Sequence, residues 1–276
     1  MKIRVISGIA LVVIFVPVML LGGYVLAAML CLLSLIATLE LSRAFGYRQE
    51  GKRSAMEIIG YLAVLVHYLL LVISRANPRF FIGTIIGFIF AETLIYVVRF
   101  PRYSVSQLTE VIFTFLYAPV MLSFFYLIRR LYGGEWFVWL PFLAWACDTC
   151  AYLAGRAFGK HKLCPALSPK KTVEGAIGGL LGSALIAGAY GLILPHYTAY
   201  NERVVWACLL IGLLCGVLSQ LGDLLASGIK RDKGIKDYGS LIPGHGGVMD
   251  RFDSVIFMLP VVYFMIVFFL QGKPIV

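Results

Sequence analysis

The sequence predicts an all-α, polytopic membrane protein with about nine transmembrane helices. Of the 276 residues, 61% are hydrophobic, against roughly 45–50% in a soluble domain. Charged residues make up only 14%, against about 25% in a soluble domain, and so few charges cannot cover a soluble surface. Apolar runs of about 20 residues, the length that crosses a bilayer, recur along the whole chain.

Each predicted helix is an apolar run that ends at a charge or at Gly and Pro. The nine runs are Val5–Leu20, Tyr24–Ala44, Ala55–Ile73, Phe80–Val98, Leu108–Ile128, Trp136–Ala154, Val173–Leu194, Val204–Ala226 and Ser254–Leu270. No small-residue cleavage motif follows the first run, so we expect an uncleaved span rather than a signal peptide. Two long polar loops, residues 155–172 and 227–253, interrupt the apolar pattern.

The cations are unevenly distributed. The chain has 24 Lys and Arg against 14 Asp and Glu, a formal net charge of +10. In a soluble protein this excess would suggest nucleic acid, but in a membrane protein it marks the cytoplasmic loops, so we predict no nucleic-acid partner. A cytoplasmic N-terminus places 18 cations inside and 6 outside, but ten of the 18 lie in the two long loops. Two helices separate these loops, so both are predicted to face the same, cytoplasmic side.

Six cysteines lie mostly in apolar runs, where cysteine packs like a small hydrophobic residue. Cys147 and Cys150 form a C-x-x-C inside a predicted span, with no second pair nearby. We therefore expect packing rather than a zinc or redox role.

Acidic residues inside spans are functional candidates, because a charge in lipid is costly. Asp148 shares a helix face with Tyr152 and Arg156, and this face leads into the first long loop. Asp223 lies in the eighth span, on a polar stripe that includes Gln220 and Ser227.

Three glutamates are less clear. Glu40 is near the end of its helix, where interfacial snorkelling is the expected role. Glu92 faces either a cavity or a buried hydrogen bond. Glu174 opens the seventh helix, where a carboxylate also serves as a cap and complements the helix dipole.

The second long loop is the densest polar feature. With Asp223 it holds ten of the 38 charged residues. Asp250 and Asp253 are three apart at a helix start and can hold a cation such as Mg²⁺. Pro243–Gly247 offers backbone N–H groups for an anion, and the nearby cations that can neutralise phosphate are Lys230, Arg231, Lys236 and Arg251. These features predict phosphate chemistry at a membrane surface.

The first long loop has a similar composition. Lys170 and Lys171 precede a predicted helix start, and Thr172 with Glu174 reads as a capping signal. Paired lysines oppose the dipole at a helix N-terminus, so a bound phosphate would compensate. Contact with lipid head groups is the alternative.

These residues resemble the phosphatidate cytidylyltransferases, also called CDP-diacylglycerol synthases. The family signature is matched without a gap by Ser227, Lys230, Arg231, Lys236, Asp237, Gly239, Pro243, His245, Gly246, Gly247, Asp250, Arg251 and Asp253. Ser219–Asp223, Ser168–Gly175 and the segment from Asp148 to Arg156 are also similar to the family pattern. The resemblance covers residues 148–254, and the N-terminal half is similar only in being apolar helices.

The resemblance implies the reaction CTP + phosphatidate → CDP-diacylglycerol + pyrophosphate with Mg²⁺. It places helices at 1–135 and a catalytic region at 136–276, in one integral unit of the inner (cytoplasmic) membrane. The implied catalytic residues are Asp223, Asp250, Asp253, Lys230, Arg231, Lys236, Asp237, His245 and Arg251. The implied substrate-binding residues are Asp148, Lys170, Lys171, Thr172, Glu174, Ser227, Gly246 and Gly247. The implied metal ligands are Asp148, Asp223, Asp250 and Asp253, and a second cation and a homodimer stay open.

Four other classes of protein share some of these features. The CDP-alcohol phosphotransferases place Gly and then Ala-Arg after their first aspartate pair, but Asp253 is followed by Ser254-Val255-Ile256. CDP-archaeol synthases and CTP-dependent lipid kinases are closer relatives, and the CDP-archaeol synthases differ mainly in the lipid, which no motif here reports. A transporter that uses Asp148 and Asp223 as an ion path would have its broken helices in matched halves, whereas the acids here crowd into the second half.

Overall fold

The computed structural model describes residues 13–46, 54–198, 200, 203–241 and 246–271. The helices are α1, with residues 13–21, α2 Gly23–Phe45, α3 Ala55–Ile73, α4 Pro78–Val98, α5 Val105–Phe115, α6 Met121–Arg130, α7 Gly134–Phe137, α8 Leu143–Phe158, α9 Val173–Ile193, α10 Arg203–Asp232 and α11 Met249–Ile266. Eight spans among these residues are long and apolar enough to cross a membrane. The predicted fold class is confirmed, and the predicted span Val5–Leu20 lies partly outside the described residues.

Two predicted spans change helix type at a proline. Between α5 and α6, a π-helical turn spans Leu116–Val120 and contains Pro119, which has no N–H to donate to the preceding turn. Before α8, a 3₁₀ turn at Leu140–Phe142 contains Pro141. A second π turn, Val267–Gln271, follows α11. The predicted spans 108–128 and 136–154 are therefore helical, but each contains a local change of helix type.

Both long polar loops are more ordered than predicted. In the first, α8 continues to Phe158, and strands β1 (Lys162–Cys164) and β2 (Ser168–Thr172) form an antiparallel hairpin. In the second, α10 continues to Asp232 and α11 begins at Met249. The loop prediction was wrong at these ends because basic residues in a last helical turn and acidic residues in a first turn favour the helix dipole.

The chain divides into two compact units. Unit 1 contains Met1–Leu127 and Ile235–Arg251, and unit 2 contains Ile128–Gly234 and Phe252–Val276. The predicted division at residue 135 separates N-terminal helices from a catalytic region by function, not by packing. It stays a prediction.

Buried polar contacts link the helices of unit 1. The hydroxyl groups of Ser34 and Tyr68 are 2.9 Å apart. The His67 ring is 2.7 Å from the Thr84 hydroxyl through Nδ1 and 3.2 Å from the Ser123 hydroxyl through Nε2. Hydrogen bonds of this kind hold membrane helices together where the hydrophobic effect cannot.

Glycines bring the three main helices of unit 2 into close contact. A Cβ at Gly178 of α9 would collide with the Ala154 side chain of α8. A Cβ at Gly216 of α10 would lie 2.8 Å from Cα of Leu180 in α9. The buried Cys147 side chain packs in the same region, with Sγ 3.6 Å from the Gly216 carbonyl oxygen. Small residues allow this close packing of membrane helices, and the polar residues at their ends are held in fixed positions.

Candidate active site

A cavity of about 420 Å³ lies in unit 2, where α8, α9, α10 and the hairpin meet. The predicted site residue Asp148 lines it, together with Tyr152 and Arg156, which were predicted to share its face of α8. Gln220 and Asp223 line it from α10, and the hairpin contributes Lys170, Lys171 and Thr172. The structure therefore brings predicted acids and predicted cations from three separate segments into one cavity.

The start of α9 is fixed by Thr172. Its hydroxyl accepts a hydrogen bond from the Gly175 N–H at 3.2 Å, so the predicted N-cap is confirmed. A Cβ at Gly155 would lie 2.8 Å from the same hydroxyl oxygen, and one at Gly175 would lie 2.7 Å from the Ala151 carbonyl oxygen. Glycine at these two positions lets β2 and α9 lie directly against α8, so that Lys171 reaches the cavity.

Glu174 lies in the first turn of α9, where its carboxylate accepts a hydrogen bond from its own backbone N–H. Its carboxylate accepts hydrogen bonds from the N–H groups of Lys160 at 3.0 Å and His161 at 3.2 Å, and lies 2.7 Å from Nδ1 of the His161 ring. The predicted role at the helix start is therefore confirmed. Glu174 also ties the segment before β1 to the start of α9, and the hairpin that carries the two lysines is closed at its base.

We expect Glu174→Ala to weaken substrate binding rather than to unfold the protein. The hairpin would lose the acceptor that closes its base, and Lys170 and Lys171 would be less well placed. The predicted result is a higher KM for CTP with a melting temperature near that of the wild type. Glu135→Ala is the control, because the Glu135 side chain is 50% exposed and pairs with Arg129 away from the hairpin. An unchanged KM for Glu174→Ala would contradict this role.

Three carboxylates of unit 2 lie close together. Asp223 forms an ion pair with the Lys171 ammonium. The carboxylates repel one another electrostatically; they belong to Asp148, Asp223 and Asp253. The Lys230 ammonium attracts the Asp253 carboxylate. Asp253 is only 6% exposed, and its Oδ1 lies 2.7 Å from the Ser254 N–H. This concentration of negative charge needs cations to balance it.

The close contact of α10 with α11 brings Asp253 to Asp223. A Cβ at Gly222 would lie 2.5 Å from the Asp253 carbonyl oxygen and 3.2 Å from Cα of Ser254. Gln220, one turn earlier, donates to the carbonyl oxygens of Ala176 and Gly216, both at 3.0 Å. The predicted polar stripe of α10 thus faces protein and cavity.

The carboxylates of unit 2 suit a hard divalent cation. Among the described residues, no group of three or more His, Cys, Asp or Glu side chains is arranged to hold a metal. Mg²⁺, however, usually takes one or two protein carboxylates and completes its shell with water and substrate phosphates. Asp223 already binds one cation, the Lys171 ammonium. The donor chemistry therefore fits Mg²⁺ that shares its shell with a phosphate substrate.

Asp250 lies in unit 1, in the first turn of α11. Its Oδ2 accepts hydrogen bonds from the Tyr238 N–H at 2.8 Å and the Gly247 N–H at 3.0 Å. Gly246 has a φ of +82°, and a Cβ there would lie 2.8 Å from the same oxygen, so both the backbone and the space require glycine. The Gly247 N–H therefore donates to a protein carboxylate. A phosphate-binding role for Gly246 and Gly247 stays a prediction.

Glu40 does not snorkel. Its side chain is 3% exposed, and its two oxygens accept hydrogen bonds from the N–H groups of Val248 at 3.0 Å and Met249 at 2.8 Å. The snorkelling prediction was wrong because these donors follow more than 200 residues later and the local sequence does not reveal them. Glu92 is also buried, and neither of its oxygens has a hydrogen-bond partner in the described part of the chain.

The remaining predicted residues are spread over both units. Ser227, Lys230 and Arg231 lie in the last turns of α10 in unit 2. Lys236 and Asp237 are exposed in unit 1, Arg251 follows Asp250 in α11, and His245 lies outside the described residues. Their roles stay predictions.

Comparison with known proteins identifies the family. The sequence profile of the cytidylyltransferase family matches residues 2–269. The chain belongs to this family. A phosphatidate cytidylyltransferase of Staphylococcus haemolyticus (strain JCSC1435) is 33% identical over 268 residues, which are 97% of this chain and 99% of that protein. The phosphatidate cytidylyltransferases of Staphylococcus aureus (strain COL) and Staphylococcus epidermidis (strain ATCC 12228 / FDA PCI 1200) are each 32% identical over 270 residues, again 97% and 99% of the two chains.

These matches extend the family likeness beyond the motifs. This cytidylyltransferase resembles its relatives from residue 2 onward, whereas the sequence motifs alone cover the second half. The first half contains Glu40, which belongs to none of the motifs and contacts the turn before α11. An acid inside a predicted span is itself a signal that could have flagged it, because a charge in lipid is costly.

Proposed function

We propose that the chain catalyses CTP + phosphatidate → CDP-diacylglycerol + pyrophosphate. The observation that carries this proposal is the unit 2 cavity, where Asp148 and Asp223 lie beside Lys170, Lys171 and Arg156. Membership of the cytidylyltransferase family and the names of the staphylococcal relatives support the same reaction.

The nucleophile needs no general base. The second pKa of a phosphomonoester is about 6, so a phosphate oxygen of phosphatidate is already anionic at neutral pH. This oxygen attacks the α-phosphorus of CTP, the bond from that phosphorus to the oxygen bridging to the β-phosphate breaks, and pyrophosphate leaves with the bonding electrons. The difficulty is the approach of two anions, so catalysis consists of positioning and charge neutralisation.

The cavity cations meet this need in the proposal. Lys170, Lys171 and Arg156 neutralise the triphosphate, and Lys171 exchanges its partner Asp223 for phosphate oxygens when CTP binds. Lys230, on the same helix as Asp223, balances the buried Asp253. The signature residues proposed to complete phosphate binding and transfer are Ser227, Arg231, Lys236, Asp237, His245, Gly246, Gly247 and Arg251.

The acids are proposed to hold Mg²⁺. The proposed ligands in unit 2 are Asp148, Asp223 and Asp253. Asp250 of unit 1 is a further proposed ligand. When bound, the ion would supply positive charge and orientation to the phosphate oxygens. The protein supplies hard oxygen donors on helices, which are rigid supports.

The proposed location is the inner (cytoplasmic) membrane, with the active site on the cytoplasmic side. The supporting observations are the bacterial relatives, the eight candidate spans and the excess of cations on the side of both polar segments. CTP would then enter from the cytoplasm while phosphatidate keeps its acyl chains in the bilayer.

Transfer of label from CTP tests the reaction. Purified protein in detergent is incubated with phosphatidate, Mg²⁺ and CTP labelled at either the α- or the γ-phosphate. Cytidylyl transfer puts only the α-label into the lipid phase and releases the γ-label as pyrophosphate. Lipid that carries the γ-label would indicate a CTP-dependent kinase, and no labelled lipid from either nucleotide would contradict the proposal.

A further inference from the structure

Glu40 is a buried acid that the proposed reaction does not use. It lies in the α2 span, is 3% exposed, and accepts the N–H groups of Val248 and Met249. A buried carboxylate is costly unless it is well hydrogen-bonded. The N–H groups at a helix start have no partner within the helix, so the carboxylate and the start of α11 satisfy each other.

Two glycines lie close to this carboxylate, Gly239 and, in the turn before α11, Gly247. A Cβ at Gly239 would collide with Oε1 of Glu40, and a Cβ at Gly247 would lie 2.5 Å from its Cδ. Both glycines lie in unit 1 with Glu40. The close approach leaves no room for the turn to shift while the carboxylate stays in place.

Asp250 depends on the same turn. The N–H of Gly247 donates to Asp250, and the next two N–H groups, of Val248 and Met249, donate to Glu40. Three consecutive N–H groups are thus divided between two carboxylates. A displacement of the turn away from Glu40 would move the Gly247 N–H, one of the backbone donors that orient Asp250.

We propose that Glu40 is a positioning residue, which fixes the turn Gly246–Met249 and through it the Asp250 carboxylate. This inference rests on the proposed function, in which Asp250 acts on the metal and phosphates. It gives the first half of the chain an indirect part in the reaction, because Glu40 acts through Asp250 and itself touches no substrate.

The test uses full-length protein with two changes at Glu40. Glu40→Gln replaces one acceptor with an NH₂ group that faces a backbone donor, so we expect kcat to fall about 10–100-fold, the range typical for a lost supporting contact at a metal site. KM for CTP stays near the wild-type value. Glu40→Asp keeps the charge and both oxygens, so it regains part of kcat.

Metal binding gives a readout that does not depend on turnover. Mn²⁺ is titrated in the presence of CTP but without phosphatidate, and bound ion is followed by electron paramagnetic resonance. Glu40→Gln is expected to weaken Mn²⁺ binding by about 10-fold or more, whereas a purely structural role would lower only the melting temperature. Glu57→Gln is the matched control: Glu57 is 2% exposed and bonded to Ser42 and Tyr61 at 3.3 and 3.0 Å, and both readouts should stay near wild type.

The outcomes separate the inference from the proposed function. Folded Glu40→Gln with wild-type kcat and Mn²⁺ binding would overturn the positioning role. If that variant does not fold, Gly239→Ala displaces the carboxylate without removing its charge: a similar fall in kcat supports the role, and a wild-type kcat overturns it. If wild-type protein forms no liponucleotide, the proposed function fails, and faster deuterium exchange at Val248 and Met249 in Glu40→Gln still tests the contact.

Discussion

Asp223→Asn is expected to insert and fold normally and to lose about 10²–10³-fold in kcat, the size typical for removal of one preorganised charge-stabilising group. Asn is nearly isosteric with Asp and keeps an oxygen, so the close packing of α10 at Gly222 is undisturbed. What is lost is the charge that binds Lys171 in the free protein and, in our proposal, Mg²⁺ in the complex. The measurement is the rate of liponucleotide formation by folded, monodisperse protein.

Asp232→Asn is the matched control, because Asp232 ends the same helix as Asp223 but is 74% exposed and lies 3.7 Å from Lys233. Its rate should equal the wild-type rate. Asp253→Asn and Asp250→Asn are also expected to fold and to be inactive. If the rate of a variant partly recovers with Mn²⁺ or at high Mg²⁺, weaker metal binding is the cause of its loss of activity. Near-normal turnover by any one variant would exclude that residue from the site. Near-normal turnover by all three variants would contradict the metal proposal.

Lys171→Ala is expected to raise KM for CTP and lower kcat, with a combined loss of about 10²-fold in kcat/KM, in the range for a charged group that contacts the transferring phosphates. The ammonium is only partly exposed and points to the acids rather than to solvent. Its removal leaves the Asp223 charge unbalanced and takes a cation from the triphosphate. Lys170→Ala should act in the same direction, because Lys170 lines the same cavity.

Lys162→Ala controls for the hairpin itself. Lys162 is exposed in β1, on the strand that pairs with β2, and is not among the residues that line the cavity. Its kinetics should match the wild type. Unchanged kinetics in well-folded Lys170→Ala and Lys171→Ala would instead support the alternative that these lysines contact lipid head groups.

Much of the fold could be predicted because lipid imposes a simple rule on sequence. A span needs about 20 apolar residues, and the predicted and observed helices agree within a few residues for α2, α3, α4 and α9. Helix ends in the polar segments were harder. Residues 227–232 carry enough charge to resemble a loop, yet they continue α10, because a helix that has left the membrane can expose charges to water.

The cavity residues were predictable as types but not as pairs. Helical spacing placed Asp148, Tyr152 and Arg156 on one face, and the cavity confirms it. No local pattern could pair Lys171 with Asp223 or Glu40 with the turn before α11, because both contacts depend on how distant segments pack. The sequence also predicts that the N–H groups of Pro243–Gly247 are free for an anion, whereas the Gly247 N–H donates to Asp250.

The most direct test of the metal-centred account is a crystal structure of the protein with CTP and Mn²⁺, with anomalous scattering used to locate the ion. The account predicts an anomalous peak at about 2.0–2.2 Å from an Asp223 carboxylate oxygen, close to the Mg²⁺–oxygen distance, with triphosphate oxygens in the same shell and the Lys171 ammonium on phosphate. A peak that lies away from Asp223, with Lys171 still paired to it, would contradict the account.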